Sequence, residues 1–351
     1  MHSLPLEAPQ SSTSFIQRLR ELHRPGWDAL NQSYLPPSPY RAKRKRYTTP
    51  TTTELMKWLV PTIIKEALAR VVHPNRKEVT AFWWLAVRVG ATPLEATGNA
   101  QGFRRIDAPK GHFYADPFFF ENDGKLWLLF EDYIYSEKRG TLACAEFKDG
   151  KLGEVITVLD KPYHLSFPCV FRDGDEIYMI PETHDNLTVD LYRAVDFPRQ
   201  WEHVRTLYDG PAVDTMVWHK EGTWYFFCTL KQPREEGMQL WIFMADSPSG
   251  DWRPHPASPV STDIRSSRNG GAIFERDGRL FRPSQDCAIS YGHGLWLNEI
   301  LTLSPTEYKE EPCVKIEPTW APNIEGTHSY AQFGDIEVID ALQMLPPGEV
   351  S

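Results

Sequence analysis

From Ala81 onward, short apolar runs alternate with polar turns and helical periodicity almost disappears. Four segments share one pattern, an apolar strand, a polar pair with Gly and a second aromatic strand: FFFENDGKLWLLFE (118–131), VFRDGDEIYMIPE (170–182), VWHKEGTWYFFCT (217–229) and IFERDGRLFRPSQ (273–285). Their turn glycines, Gly124, Gly174, Gly222 and Gly278, are 50, 48 and 56 residues apart. An Asp-Gly or Glu-Gly pair between two such runs is a hairpin signal. Further strand-like runs fill the intervals, among them GTLACAEF (140–147), TVDLYRAVDF (188–197) and MQLWIFMADS (238–247). About four strands per period of this length predicts the blades of a β-propeller.

The remaining sequence predicts a fifth blade. LNEILTLSPTEYKEEPCVKIEP (297–318) and SYAQFGDIEVIDA (329–341) supply strands, and AFWWLAVRV (81–89) closes the ring by pairing with them. Closure of that kind removes an exposed sheet edge. A sixth blade would need a repeat that the sequence lacks. The expected fold is therefore all-β: a five-bladed β-propeller over residues 81–345, preceded at 1–80 by an arm with a short helical segment.

Residues 1–50 are rich in Pro, Ser and Thr and read as a loosely ordered arm with one short helix, Phe15 to Leu22. A second helix is expected from Thr53 to Val72, broken or restarted at Pro61. Pro5, Glu7, Pro9 and a Ser/Thr tract stand where a secretory signal would need an apolar run. The stretch from Leu55 to Val72 carries Lys57, Lys65, Glu66 and Arg70, which makes it too short and too charged to span a bilayer. The basic run from Arg41 to Arg46 leaves two readings of this region. One is a linker and a helix packed on the main domain; the other is a peripheral membrane contact.

Composition and charge narrow the function. The chain has 351 residues, of which 12 Trp, 14 Tyr and 18 Phe make 13% aromatic, with 29 Pro and 22 Gly, a mixture suited to many short strands and tight turns. The net charge of -9 divides unevenly: residues 1–80 hold 13 Lys and Arg against 6 Asp and Glu, and the remainder holds 25 against 41. An acidic body of that size argues against nucleic acid, because phosphate binding needs a basic surface. Cys144, Cys169, Cys228, Cys287 and Cys313 lie far apart in no metal-like spacing, and are expected as thiols in a reducing compartment. The expected location is cytoplasmic, or membrane-peripheral through the arm. Phosphate-loop, zinc and Ser-His-Asp motifs are absent from the sequence, and neither cofactor nor metal is expected.

In a propeller the residues just before the first strand of a blade and just after the second converge on one mouth. With the turn glycine as ruler, the position eight before it is Asp116, Ser166, Asp214 and Gly270, and the position eight after it is Asp132, Glu182, Leu230 and Asp286. Five carboxylates thus share one expected face, although such groups avoid crowding. Asp116 and Asp214 each head an otherwise apolar strand. An Asp before Pro is also a good turn residue, but two of them in equivalent register beside Glu182 suggest a site. Paired carboxylates suit sugar chemistry, where one protonates the leaving oxygen and another activates water or attacks. Arg265, Arg268 and Arg282 cluster around the fourth hairpin, either to bind an anionic group of the ligand or to pair with the acids. His164, His184 and His328 fall at strand ends, with His328 in reach of the axis. Trp127, Trp218, Trp224 and Tyr178 read as packing.

FYADPFFF, HLSFPCVF, IYMIPET, AVDTMVW, GDWRPHP, RPSQDC and LNEI resemble the N-terminal propeller-like domain of plant glucosamine inositol phosphorylceramide transferases and of bacterial proteins. The resemblance covers about residues 80–342. More distantly the chain resembles the five-bladed glycosidases of family 43 and their furanosidase relatives. That likeness implies Asp116 as base and Asp214 as the carboxylate that orients and tunes the acid. The glycosidases place a general acid Glu on the fourth blade, where this chain reads Arg268-Asn269-Gly270-Gly271, so Glu182 or Asp286 would have to replace it. The plant transferases also carry a separate transferase domain after the propeller, outside the stretch resembled here. The resemblance therefore supports recognition of a glycan or glycoconjugate better than any one reaction. The expected catalytic residues are Asp116, Asp214 and Glu182, with Asp132, Arg265, Arg268, Arg282, Asp286 and His328 binding the substrate. A glycan-binding module without catalysis, or a propeller recruited to other biosynthetic chemistry, are the alternatives.

Overall fold

The computed structural model describes residues 79–231 and 238–350. The two expected N-terminal helices and the basic run at 41–46 lie outside the described residues. Among the described residues, twenty-two strands form five antiparallel sheets. Blade I holds β3 (His112–Asn122), β4 (Lys125–Ile134), β5 (Arg139–Lys148), β6 (Lys151–Leu152) and β7 (Ile156–Leu159). Blade II is β8 (Ser166–Asp173), β9 (Glu176–Glu182), β10 (Thr188–Asp196) and β11 (Gln200–Asp209). Blade III is β12 (Ala212–Lys220), β13 (Thr223–Lys231), β14 (Met238–Ala245) and β15 (Arg253–Pro254). Blade IV holds β16 (Arg268–Asn269), β17 (Phe274–Arg276), β18 (Arg279–Asp286), β19 (Gly294–Leu303) and β20 (Tyr308–Ile316).

Blade V joins the two ends of the described chain. Its order is β21 (Tyr330–Phe333), β22 (Ile336–Leu345), β1 (Thr80–Val89), β2 (Arg104–Ile106). β1 pairs with β22 along its whole length, from Thr80 opposite Leu345 to Val89 opposite Ile336. The early strand thus closes the ring as its sequence suggested. One expectation is corrected: the run at 297–318 does not belong to the fifth blade. Its strands β19 and β20 complete blade IV, because Leu280 to Asp286 on β18 pair with Gly294 to Ile300 on β19.

The hairpin glycines act as expected, with a difference between blades. Asp123-Gly124, Glu221-Gly222 and Asp277-Gly278 have positive φ at both turn residues, as a type I′ hairpin requires. In blades II and V the turn is Gly174-Asp175 and Gly334-Asp335, and the glycine alone is left-handed. The glycine therefore sits one place earlier in those two hairpins.

The aromatic content has a structural use at every seam between blades. Phe118 meets Phe167 across blades I and II with ring centres 4.8 Å apart, and Phe171 meets Trp224 across II and III at 5.3 Å. Phe227 and Tyr308 join III to IV at 5.7 Å, Phe274 and Tyr330 join IV to V at 5.4 Å, and Phe119 and Phe333 join I to V at 6.5 Å. Tilted and edge-on pairs at these separations add to the area they bury. Cys144, Cys169, Cys228 and Cys287 are buried free thiols and Cys313 is exposed. Among the described residues no helix is long and apolar enough to cross a membrane.

Leu85 on the closing strand is fully buried and packs with Tyr114, Leu128 and Phe130 of blade I. Leu85→Ala is expected to cost about 2–5 kcal/mol, read by equilibrium urea denaturation. A loss near zero would mean that the closing strand is not part of the cooperative unit.

Candidate active site

The site forms where the inner strands lose register, at the end of the ring opposite the hairpin turns. The β3–β4 ladder breaks between Ala115 and Phe118, the β8–β9 ladder between Ser166 and Cys169, and the β12–β13 ladder between Val213 and Met216. Each break leaves two residues unpaired: Asp116-Pro117, Phe167-Pro168 and Asp214-Thr215. Pro has no N–H for a ladder, so it is tolerated there. The first residue of each pair is left-handed, with φ of 52° at Asp116, 48° at Phe167 and 51° at Asp214. A bulge with such a residue re-aims the side chain, and bulges concentrate beside active sites.

The same geometry corrects the ruler. Because Gly174 is the first turn residue of its hairpin, Phe167 rather than Ser166 is the structural equivalent of Asp116 and Asp214. Ala115 pairs with Glu131 as Ser166 pairs with Glu182, so Glu131, not its neighbour Asp132, is the counterpart of Glu182.

Asp116 is buried and held from blade V. Ser329 Oγ donates to its Oδ1 at 2.5 Å, and His328 Nε2 lies 3.6 Å from the same oxygen. Asp340 on β22 supports both neighbours: its Oδ1 accepts the backbone N–H groups of His328 (2.7 Å) and Ser329 (3.0 Å). Its Oδ2 lies 2.6 Å from His328 Nδ1, close but out of line for a hydrogen bond. Trp83 stacks on the His328 ring with centres 3.9 Å apart. Burial works against the imidazolium, but Asp340 and Asp116 outweigh it and raise the His328 pKa. Burial pushes the Asp116 carboxyl above its ordinary value, against the pull of His328.

Glu182 and Asp214 form the opposing half. The backbone N–H of Asp214 donates to Glu182 Oε2 at 3.0 Å. Arg268 pairs with the Asp214 carboxylate, and Gln285 Nε2 donates to its Oδ2 at 3.2 Å. Asn269 Nδ2 donates to the Asp214 carbonyl at 2.8 Å, which braces the left-handed backbone there. Burial, then the charge of Asp214 and a hydrogen bond to it, hold the Glu182 carboxyl well above the usual carboxylate range, with Arg268 pulling the other way. Glu131 is raised well above that range too, by burial and then by Asp116 and Glu182. His164 Nε2 lies 3.6 Å from its Oε1, and burial lowers the pKa of that histidine. Carboxyls with raised pKa beside one held by a cation are the arrangement that acid/base catalysis uses.

The other expected residues divide. Asp132 turns away from Glu131, as strand alternation requires, and meets His112 Nδ1 at 2.7 Å. Asp286 is buried between Lys315 (3.2 Å) and Trp296 Nε1 (3.3 Å). Arg265 is exposed and bound bidentately to Asp263. Arg282 is wholly buried, with both ends of its fork on Glu310 at 2.6 and 2.7 Å. Its Nη1 donates to Asn269 Oδ1 at 3.0 Å, so it steadies the residue that braces Asp214. Of the three arginines, Arg268 is the one in contact with the carboxylates. His184 takes a bond from Lys231 at 3.3 Å.

Glu131, Asp340 and Ser329 escaped the sequence reading. A ruler counted from the turn midpoint instead of from the glycine would have found Glu131. Treating Gly334-Asp335 as a fifth hairpin would have drawn attention to Asp340. Among the described residues, Asp116, His328 and Asp340 bring one ligand atom each within 4.8 Å of one another and form a group able to hold a cation.

The sequence matches the family model described as glucosamine inositolphosphorylceramide transferase 1, N-terminal, over residues 102–331, a span that includes Asp116, Glu131, Glu182, Asp214, Arg268 and His328 and stops short of Asp340. Glucosamine inositolphosphorylceramide transferase 1 of Oryza sativa subsp. japonica is 36% identical over 207 residues, 57% of this chain and 28% of that protein. The protein of the same name from Arabidopsis thaliana is 37% identical over 206 residues, 57% of this chain and 27% of the relative. The match thus spans less than a third of those relatives. Among solved structures, the catalytic domain of the Coprinopsis cinerea GH62 α-L-arabinofuranosidase is similar with a TM-score of 0.50 at 14% identity, over 74% of this chain and 97% of that one. At that identity the likeness is one of fold.

Glu182 and Glu131 hold protons more tightly folded than unfolded, so between the ordinary value of 4.5 and their raised values the folded chain is the more protonated. Stability is expected to fall as pH rises through that window, with His328 and Asp116 contributing in the same direction. Glu182→Gln is expected to flatten the slope and to gain on the parent at pH 8 relative to pH 5 in urea denaturation. An unchanged slope would mean that Glu182 is ionised in the folded protein.

Proposed function

This chain belongs to the family of the N-terminal region of glucosamine inositolphosphorylceramide transferase 1, and from that premise we propose that its propeller mouth acts on a glycosyl unit of a glycoconjugate. Glu182 gives its proton to the oxygen that leaves as the glycosidic C–O bond breaks. Asp116 takes a proton from the incoming water or acceptor hydroxyl, or attacks in its place. Asp214, fixed by Arg268, Gln285 and Asn269, orients Glu182 and keeps its carboxyl protonated. The observation that carries this reading is the meeting at one mouth of two buried carboxyls with different partners: Glu182, beside Asp214 and pushed well above the usual carboxylate range, and Asp116, which accepts from Ser329 Oγ and faces the His328 imidazole. The names of the relatives suggest an inositol-phosphate-linked amino sugar as the glycoconjugate.

A second reading, glycan binding without turnover, is favoured by the fourth blade. The stretch Arg268 to Gly271 supplies a cation instead of a carboxylate, and that cation is already spent on Asp214.

Asp116→Asn tests both readings. The parent and the variant are incubated with a glucosaminyl-inositol phosphate and a panel of 4-nitrophenyl glycosides, with products followed by mass spectrometry and binding by calorimetry. Loss of product by at least about a hundredfold, the scale of a lost general base, with binding retained supports catalysis. Binding by the parent with no product supports the second reading.

A further inference from the structure

Between β18 and β19 a short loop, 287–293, crosses the rim of the mouth. Its position is fixed at Gly292, whose φ is 62° and whose Cβ, if it had one, would meet His328 at 3.0 Å and Trp83 at 3.1 Å. Thr327 N–H donates to the Gly292 carbonyl at 3.0 Å, so the loop lies directly against the segment that carries His328. Two large apolar side chains of this loop face solvent, Ile289 at 75% and Tyr291 at 51% exposure.

The Tyr291 ring is tightly placed for a residue so exposed. The Arg268 guanidinium carbon stands 4.7 Å from its centre, and its other neighbours are the edges of His328 at 5.5 Å and Trp83 at 6.4 Å. The ring therefore bridges the two halves of the site, from the cation that holds Asp214 to the imidazole that faces Asp116. Its hydroxyl makes no hydrogen bond with another described residue. Burial of that oxygen, and then the charges of Asp214, Asp116 and Glu182, raise the phenol well above its ordinary value, with Arg268 opposing. The ring is thus held by packing on Arg268, His328 and Trp83 while about half of the residue stays open to solvent at the mouth.

We propose that Tyr291 contacts the ligand, its exposed ring lying along the apolar face of a sugar and its hydroxyl donating to an oxygen of the glycosyl unit between Asp116 and Glu182. This rests on the reading of the mouth as a glycan site. Aromatic rings supply large, stiff contact area at low entropic cost, and a few well-placed polar groups then fix orientation. Ile289, two residues earlier on the same loop, extends the apolar rim.

Tyr291→Phe is the decisive variant, because it keeps the ring under Arg268 and removes a hydroxyl that the folded chain does not use. Its melting temperature is expected to match the parent. Its affinity for glucosaminyl-inositol phosphate, or for whichever 4-nitrophenyl glycoside the parent binds, is expected to fall at least about fivefold by calorimetry, the scale of one hydrogen bond. Tyr291→Ala, which also removes the sugar-facing ring, is expected to lose at least about tenfold. Binding by Tyr291→Phe within twofold of the parent, or a melting temperature lowered along with it, would overturn the proposal while leaving the site reading intact. A parent that binds none of these probes would overturn both.

Discussion

The pairing of β1 with β22 is the contact on which the rest of the ring depends. A five-bladed ring has one seam that local sequence cannot close, since blades I to IV are each built from consecutive chain. Here the first described strand returns to the last blade and gives β22 a partner on each side. The consequence reaches the chemistry directly. Asp340 lies on β22 opposite Leu85 of β1, and it organises His328 and Ser329, the two groups that hold Asp116. Trp83 of the same closing strand covers the His328 ring. A frayed seam would therefore loosen the Asp116 half of the mouth before it disturbed the half around Asp214.

The mouth is expensive to build. Asp116, Glu131, Glu182, Asp214 and Asp340 crowd one end of the axis with Arg268 and His328 as their main cations, and burying charge without full compensation costs stability. The protein meets that cost in three ways. Arg268 neutralises Asp214, burial and neighbouring charge shift the Glu182 and Glu131 carboxyls toward the neutral form, and backbone N–H groups serve Asp340 and Glu182. Further out, Glu310, Arg282 and Asn269 form a buried chain of hydrogen bonds that ends on the Asp214 carbonyl, so a bulge with an unfavourable backbone is held from outside the site. The aromatic pairs at the five blade seams add packing between the blades that carry this arrangement.

The hairpins were legible because their signals are local: an Asp-Gly or Glu-Gly pair and the runs beside it determine a turn whatever surrounds them. The period followed, and with it the propeller and the place of Asp116 and Asp214. Glu182 was also legible, but its true counterpart was not. The shift from Glu131 to Asp132 came from whether glycine stands first or second in a two-residue turn, a one-place difference that reverses which face of the strand a side chain takes. The assignment of 297–318 to the fifth blade failed for a related reason. A strand's identity as the third or fourth of one blade, rather than the first of the next, depends on its pairing with β18 and is not written in its own residues.

What the sequence determined by itself, then, was the kind of unit and its repetition: the turns, the alternating runs, the aromatic supply and the two Asp residues in equivalent places on inner strands. These depend on interactions between residues a few places apart. Which carboxylates meet, and in what state of protonation, was decided by the tertiary structure. Asp116 and Ser329 are 213 residues apart and Asp214 and Arg268 are 54 apart, and only ring closure and the inner-strand bulges bring them together. The same is true of Arg265, Arg268 and Arg282, alike in sequence and neighbours along the chain. One is bound to a surface Asp, one stands at the mouth and one is buried as a strut, because burial and charge partners belong to the folded ring and not to the residue.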